Sequence, residues 1–300
     1  MTGTVRLGIV GCGRLAERGY LPALRDVAGV YLAAVADPDP GRRTLLAGTA
    51  STLLGQPVAA YDGIGGLLAA EHVDAVLIAS PAGSHVADAR AAVAAGVTAL
   101  VEKPPAPDLA GAVELAGLTP RPWLGFNRRF DPGAREVRDA VPAGGEVELL
   151  LRVHYRRPSW GAHTVRDDAL LDLGPHLLDW ARWLTGSDIV DVACPELTAE
   201  RAVLQLTLGR GRARLEAATD RPHEELVEVR DDSGRLVARH RIGGLVAGVR
   251  ARVLGRGPDT LVTSLRHEVT ALAAVVRSSP PTPTTAATTP TATGSSRAPP

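Results

Sequence analysis

The chain has 300 residues, 45% of them hydrophobic and 22% charged, the balance of a soluble globular protein long enough for two sizeable cores. Its 33 basic and 33 acidic side chains cancel to a formal charge of zero, so it carries no electrostatic footprint for nucleic acid or an anionic membrane. Two cysteines, Cys12 and Cys194, give neither a disulfide framework nor metal-ligand spacing, and no apolar stretch nears the roughly 20 residues of a membrane helix, so a cytoplasmic protein without a bound metal is expected. A strand-like run at Val5 leaves no room for a signal peptide.

Up to residue 125 short apolar runs alternate with helical patterns. Strands are predicted at Val5 to Val10, Tyr31 to Ala36, Ala75 to Ala79, Thr98 to Val101 and Trp123 to Phe126. A helix with Ser84 as N-cap, Val86, Ala89 and Val93 on one side and Gly96 as its stop lies between the third and fourth. This order predicts a doubly wound parallel sheet with ligand at the carboxyl ends of its strands.

From residue 126 longer alternating strands take over, at Glu146 to Arg156, Ala202 to Gly209, Arg212 to Ala218, Leu226 to Arg230 and Arg235 to Arg241, with Asp231-Asp232-Ser233-Gly234 as a hairpin turn. A mostly antiparallel open sheet is expected. One helix interrupts it near Leu171 to Leu184, closed by Gly186, and a second runs from Asp259 to Arg277 with Leu261, Leu265, Val269 and Leu272 on a stripe. The remainder from Ser278 is Ser, Thr, Pro and Ala, too poor in apolar surface to order itself. The expected domains are therefore 1–125, 126–277 and a disordered tail 278–300.

Gly11, Gly13 and Ala16 give G-x-G-x-x-A between the first strand and a helix. The first glycine permits the tight turn, the second lets backbone approach a pyrophosphate, and the helix N-terminus at Arg14 and Leu15 offers N–H groups to phosphate. The second strand ends at Asp37, where a carboxylate can accept from both ribose hydroxyls and repel a 2′-phosphate, which favours NAD. Arg42 and Arg43 just beyond keep NADP open.

Lys103 is the only lysine among the 33 basic side chains, in Val101-Glu102-Lys103-Pro104-Pro105. A chain that uses arginine wherever positive charge suffices has kept a lysine where a proton can be exchanged, which arginine cannot do. The only asparagine, Asn127, lies in Gly125-Phe126-Asn127-Arg128-Arg129-Phe130. In Asp172-Leu173-Gly174-Pro175-His176, Pro175 fits only a first turn, which places Asp172 and His176 together at the positive end of a helix. There the carboxylate is favoured ionised, and His176, with an ordinary pKa near ~6.5, can exchange a proton at neutral pH. A cap at Asp172 and a packing role for His176 fit the same residues.

Taken together, the Gly-rich turn, Ser80-Pro81-Ala82-Gly83-Ser84-His85, Glu102-Lys103-Pro104, Asn127-Arg128-Arg129-Phe130 and the Asp172 to Asp179 segment stand in the order and spacing of the Gfo/Idh/MocA oxidoreductases, which the chain resembles over residues 4 to 277. The resemblance implies an N-terminal Rossmann domain and a C-terminal α+β domain with a large open sheet. It also implies hydride transfer between NAD(P) and a hydroxyl or keto carbon of a sugar, nucleotide-sugar or cyclic polyol. Lys103, Asp172 and His176 match the family's catalytic residues, and Ser80, Pro81, His85, Glu102 and Lys103 join the cofactor-binding set. Asn127, Arg129, Tyr155, Trp160 and His163 are expected at substrate with Asp172 and His176, whereas Trp180 and Trp183, at helical spacing beside leucines, are expected in the core. A cis Lys103-Pro104 bond is expected where a turn must aim the lysine. A homodimer or homotetramer built on the outer face of the second sheet is implied as well.

Two segments depart from the pattern. Arg166-Asp167-Asp168-Ala169 stands where the family has a glycine run, and the Thr/Pro/Ala/Ser tail replaces a closing helix. Two other readings share the motifs: an enzyme that retains NAD and cleaves glycosidic bonds through a transient ketone, and a non-catalytic dinucleotide-binding regulator.

Overall fold

The computed structural model describes residues 3–157, 168–243 and 260–278. Two six-stranded sheets organise them. In the first, β1 (Val5–Val10), β2 (Val30–Ala36), β3 (Ala59–Tyr61), β4 (Ala75–Ile78), β5 (Thr98–Glu102) and β6 (Trp123–Gly125) are all parallel and lie in the order β3-β2-β1-β4-β5-β6. That order reverses direction between β1 and β4, the switch point at which doubly wound folds bind ligands. β4 is buried along its whole length, as helices on both faces require.

The intervening helices are α1 (Leu21–Leu24), led by a π-helical stretch Ala16–Tyr20, then α2 (Pro40–Leu54), α3 (Ile64–Ala70), α4 (Ala82–Ala94) and α5 (Leu109–Gly117). The β3 strand was not anticipated, because it is only three residues long and none of them is fully buried. Nor does Ser84 cap α4: the helix starts at Ala82 behind Pro81, and Ser84 sits inside its first turn. Gly96 does end it, at φ 71°.

After a 3₁₀ turn (Asn127–Phe130) and α6 (Pro132–Ala140), the second sheet takes the order β12-β11-β7-β10-β9-β8. Its members are β7 (Val147–Arg156), β8 (Ile189–Leu197), β9 (Arg201–Leu208), β10 (Gly211–Ala218), β11 (Asp220–Asp231) and β12 (Leu236–Gly243). Only β7 and β10 pair in parallel, so the sheet is mostly antiparallel. One face alternates Val147, Leu149, Leu151 and Val153 with Leu204, Leu206, Leu215 and Val227 against α7 (Ala169–Thr185), whose Trp180 is 1% exposed. Trp183 packs at the margin of the same core under the guanidinium of Arg138. β8 escaped sequence reading because all but its first residue are exposed, so it shows no in-out alternation.

Pro175 is not in the first turn of α7. Asp168 caps the helix by accepting from Leu171 N at 2.8 Å, which starts it at Ala169 and leaves Pro175 inside. Asp172 remains in the first turn, with His176 one turn further on.

The last helix, α8 (Thr260–Ser278), buries Leu265, Val269 and Leu272 against Leu7, Ile9 and Tyr20. The predicted stripe is real, but its partner is the core of the first sheet. Residues 279–300, Trp160, His163 and the Arg166-Asp167 part of the atypical segment lie outside the described residues.

Candidate active site

The Gly-rich turn is set by contacts that only glycine allows. Gly11 has φ 95°, and a Cβ there would stand 2.4 Å from Ser80 N, at the crossing between β1 and β4. A Cβ at Gly13 would meet nothing within 4 Å, so open space lies in front of the turn, where the first N–H groups of the following helix lack intrahelical acceptors. These features fit a dinucleotide pyrophosphate.

Asp37, 7% exposed, accepts from Cys12 N at 2.8 Å and from Asp39 N at 2.9 Å. It therefore ties the Gly-rich turn to the end of β2, while a carboxylate's remaining lone pairs can still serve hydroxyls. Burial, then the Asp37 charge, pushes the Cys12 thiol up to about 12, so it is no nucleophile. Arg42 is exposed and turned to Asp39 at 3.7 Å, and Arg43 donates to the carbonyls of Asp37 and Pro38.

His85 is not open to a ligand in the way the resemblance implied. The residue is 1% exposed and its ring spans Pro104 O at 2.9 Å and Ser80 O at 2.7 Å, bracing the loop after β4 against the lysine turn. Ser80 donates to Asp88 at 2.8 Å. The Lys103–Pro104 bond is cis, as expected.

Beyond the carboxyl end of β5 lies a cavity of about 520 Å³. Lys103, Asp172, His176, Tyr155 and Asn127 all line it, although they come from four separate segments. Lys103 Nζ donates to the main-chain oxygen of Asp172 at 2.9 Å and to its Oδ1 at 3.2 Å. The other carboxylate oxygen accepts from the Tyr155 hydroxyl and stands 3.8 Å from Arg157 Nη2. Burial and the adjacent Asp172 carboxylate push the Tyr155 phenol well above its ordinary value, so it stays a donor. Asp172 thus gathers a lysine, a tyrosine and an arginine around one carboxylate.

His176 is 5% exposed, with Nδ1 unpartnered and the Phe126 ring edge-on at 6.3 Å between centroids. Burial, then the positive charges of Arg128 and Lys103, hold its pKa well below 6.5. The expectation of an ordinary imidazole is corrected here: the ring is neutral at pH 7, the form that accepts a proton.

Asn127 donates to Ser264 Oγ of α8 at 2.8 Å, joining the cavity wall to the last helix. Arg129 does not reach the cavity. It clasps Asp179 through two hydrogen bonds, with Nε at 2.7 Å from Oδ2, and lies over Phe126. Its neighbour Arg128 lines the cavity instead, paired with Glu225 and stacked 5.7 Å from the Trp180 ring centroid. Burial opposes ionisation of Glu225, yet Arg128 and His223 bring it down to about 2. His154, also on the wall, is held neutral near 4 by burial, Arg152 and Arg221.

Arg128, Glu225 and His154 were missed by sequence reasoning. The Arg128-Arg129 pair offered a choice that only the local 3₁₀ winding decides, and Glu225 sits in a run of ordinary strand residues. Among the described residues no group of His, Cys, Asp or Glu could hold a metal, and no helix is long and apolar enough to cross a membrane.

Residues 5–121 match the profile of the GFO_IDH_MocA oxidoreductase family with an NAD-binding Rossmann fold. This part of the chain is similar to that family. An inositol 2-dehydrogenase of Corynebacterium glutamicum is 33% identical over 198 residues, covering 64% of this chain and 57% of that protein. A myo-inositol dehydrogenase of Streptomyces leeuwenhoekii is 35% identical over 207 residues, 64% of this chain and 61% of the relative. The chain thus spans less than two thirds of the length of these relatives. The likeness in fold extends across both sheets: apo scyllo-inositol dehydrogenase from Lactobacillus casei superposes with a TM-score of 0.73 at 21% identity, over 93% of this chain and 89% of the other. The same enzyme with NAD(H) and scyllo-inositol gives 0.67 at 20% identity, over 90% and 95%.

Proposed function

We propose that this chain is an NAD-dependent dehydrogenase of a cyclic polyol of the inositol class, with residues 1–125 binding the dinucleotide and the second sheet forming the substrate wall. The observation that carries the reading is the meeting of Lys103, Asp172, Tyr155 and His176 in one cavity at the carboxyl end of β5. A family described as NAD-binding and relatives named inositol dehydrogenases support it. When bound, NAD supplies the hydride acceptor; Gly11, Gly13, Arg14, Leu15 and Asp37 would hold it.

The chain's own residues handle the proton. Neutral His176 takes the proton of the substrate hydroxyl, and Lys103 donates a hydrogen bond to the same oxygen as negative charge develops there. Asp172 fixes Lys103 through two contacts and keeps the local charge balanced against Lys103 and Arg157. Asn127, His154 and the Arg128–Glu225 pair present donors and acceptors to the remaining ring hydroxyls. Subunits associate as a dimer or tetramer through the outer face of the second sheet, in a cytoplasmic enzyme.

Titration with NADH and NADPH, followed by nicotinamide fluorescence, tests the cofactor half. Saturable NADH binding stronger than NADPH binding is expected, and no binding of either would overturn the assignment.

A further inference from the structure

Beneath Lys103 three groups meet that the proposed reaction does not use. The Tyr20 hydroxyl, fully buried, stands 2.5 Å from Glu102 Oε1 and 3.2 Å from Glu268 Oε2. Glu268 is 0% exposed and its Oε1 has no partner. Glu102, 5% exposed, also accepts the backbone N–H of Lys103 at 3.1 Å. The residues come from the helix after the Gly-rich turn, the end of β5 and α8, so the contact joins the dinucleotide loop, the lysine turn and the last helix.

One phenolic hydrogen cannot be given to two carboxylates at once. It goes to the nearer one, Glu102, which leaves the Tyr20 oxygen as an acceptor facing Glu268. Two ionised carboxylates around one buried hydroxyl would be costly, and a proton on the farther one satisfies both contacts of the Tyr20 hydroxyl. We propose that Glu268 is a neutral carboxylic acid that donates to Tyr20 and, through Tyr20, orients the ionised Glu102 beneath Lys103, so that Glu268 and Tyr20 are positioning residues of the site.

Charge around the cluster agrees with this assignment. Burial raises Glu102 as well, but the Tyr20 hydroxyl, the Lys103 ammonium and the Lys103 backbone N–H all favour its ionised form, whereas on Glu268, which the Glu102 charge raises further, only the Tyr20 hydroxyl does. In the 3₁₀ turn packed on α8, Arg128 and Arg129 are committed to Glu225 and Asp179, and His267 of α8 turns to Phe130 O. Burial, then the Glu102 charge, raises Glu268 well above a usual carboxyl, and burial keeps the Tyr20 phenol protonated.

The consequence for turnover rests on the proposed role of Lys103, but the protonation state is tested without turnover. Infrared spectroscopy of the whole protein at pH 7 should show the carbonyl stretch of a protonated carboxylic acid that disappears in Glu268→Gln, with folding checked by thermal melting. No such band in the wild type, or one that survives in Glu268→Gln, overturns the assignment.

Tyr20→Phe keeps the ring and removes the link. About tenfold lower kcat with unchanged KM and NADH affinity is expected, the effect of one lost buried hydrogen bond. Unchanged kcat would overturn the positioning role whatever the stability. If the wild type proves inactive, the infrared result still decides the state of Glu268.

Discussion

Replacing Asp172 by asparagine keeps the shape of the side chain and removes its charge. In the native arrangement the carboxylate accepts from Lys103 Nζ at 3.2 Å and from the Tyr155 hydroxyl, and lies 3.8 Å from Arg157; the Lys103 and Asp172 side chains are only 19% and 16% exposed. An amide has one oxygen, so either Lys103 or Tyr155 loses its acceptor, and two cations lose their counter-charge. A charge-assisted hydrogen bond of this kind is worth about 1.5–3 kcal/mol. Taking about 2 kcal/mol for the folded protein, Tm should fall by about 4–8 °C. Turnover should suffer more, because the same substitution removes the counter-charge of Lys103 and can leave it held by the main-chain oxygen of residue 172 alone: a loss of about 100-fold in kcat/KM corresponds to about 2.7 kcal/mol of transition-state stabilisation. Differential scanning fluorimetry and steady-state NADH formation measure the two separately, with NADH affinity as the control. Turnover within about threefold of wild type would refute the reasoning, since that is under 1 kcal/mol.

Further outcomes follow from the same geometry. With His176 held neutral by burial and two cations, the rate of polyol oxidation should show no loss from this residue as pH falls from 8 to 6; its limb lies lower, and a pH–rate profile with a half-point near ~6.5 that vanishes in His176→Asn would contradict this. Stability linked to the same ring runs the same way: the unfolded histidine binds a proton below about 6.5 and the folded one does not, so this contribution is present above that pH and is lost as pH falls toward the folded value. Glu225→Gln removes the partner of Arg128 on the cavity wall and should raise KM for the polyol by about tenfold with little change in NADH binding; an unchanged KM would exclude the pair from the substrate wall. Asp37→Ser should narrow the preference for NADH over NADPH and also lower stability by about 1–3 kcal/mol, because two backbone N–H donors lose their acceptor; a stability loss without any change in preference would make Asp37 purely structural.

Much of this architecture is legible in the sequence where periodicity and glycine geometry speak directly. The strands β2 and β4 are continuous apolar runs, and β1 and β5 are largely so, because both faces are buried, and Gly11 is required by its positive φ and its approach to Ser80. The cluster of the proposed site was legible for a chemical reason, the single lysine and the Asp172/His176 spacing. What failed depended on three-dimensional context. Pro175 suggested a helix start, but the Asp168 cap outweighed the loss of one N–H. The stripe of α8 announced a buried face without saying which core it joins. His85 and Arg129 are polar residues in the right motifs that the fold spends on bracing contacts, and no spacing rule separates those from ligand contacts. Glu268 is invisible in sequence because a buried acid in a helix reads like an exposed one until its neighbours are known.

The most direct test of the whole account is NADH formation on adding myo- or scyllo-inositol to the purified protein with NAD, run beside Lys103→Arg. Inositol-dependent NADH formation that falls by at least about 100-fold in Lys103→Arg, with NADH binding retained, is the predicted result. Cofactor binding without NADH formation from any inositol isomer, or near-normal turnover in Lys103→Arg, would contradict it.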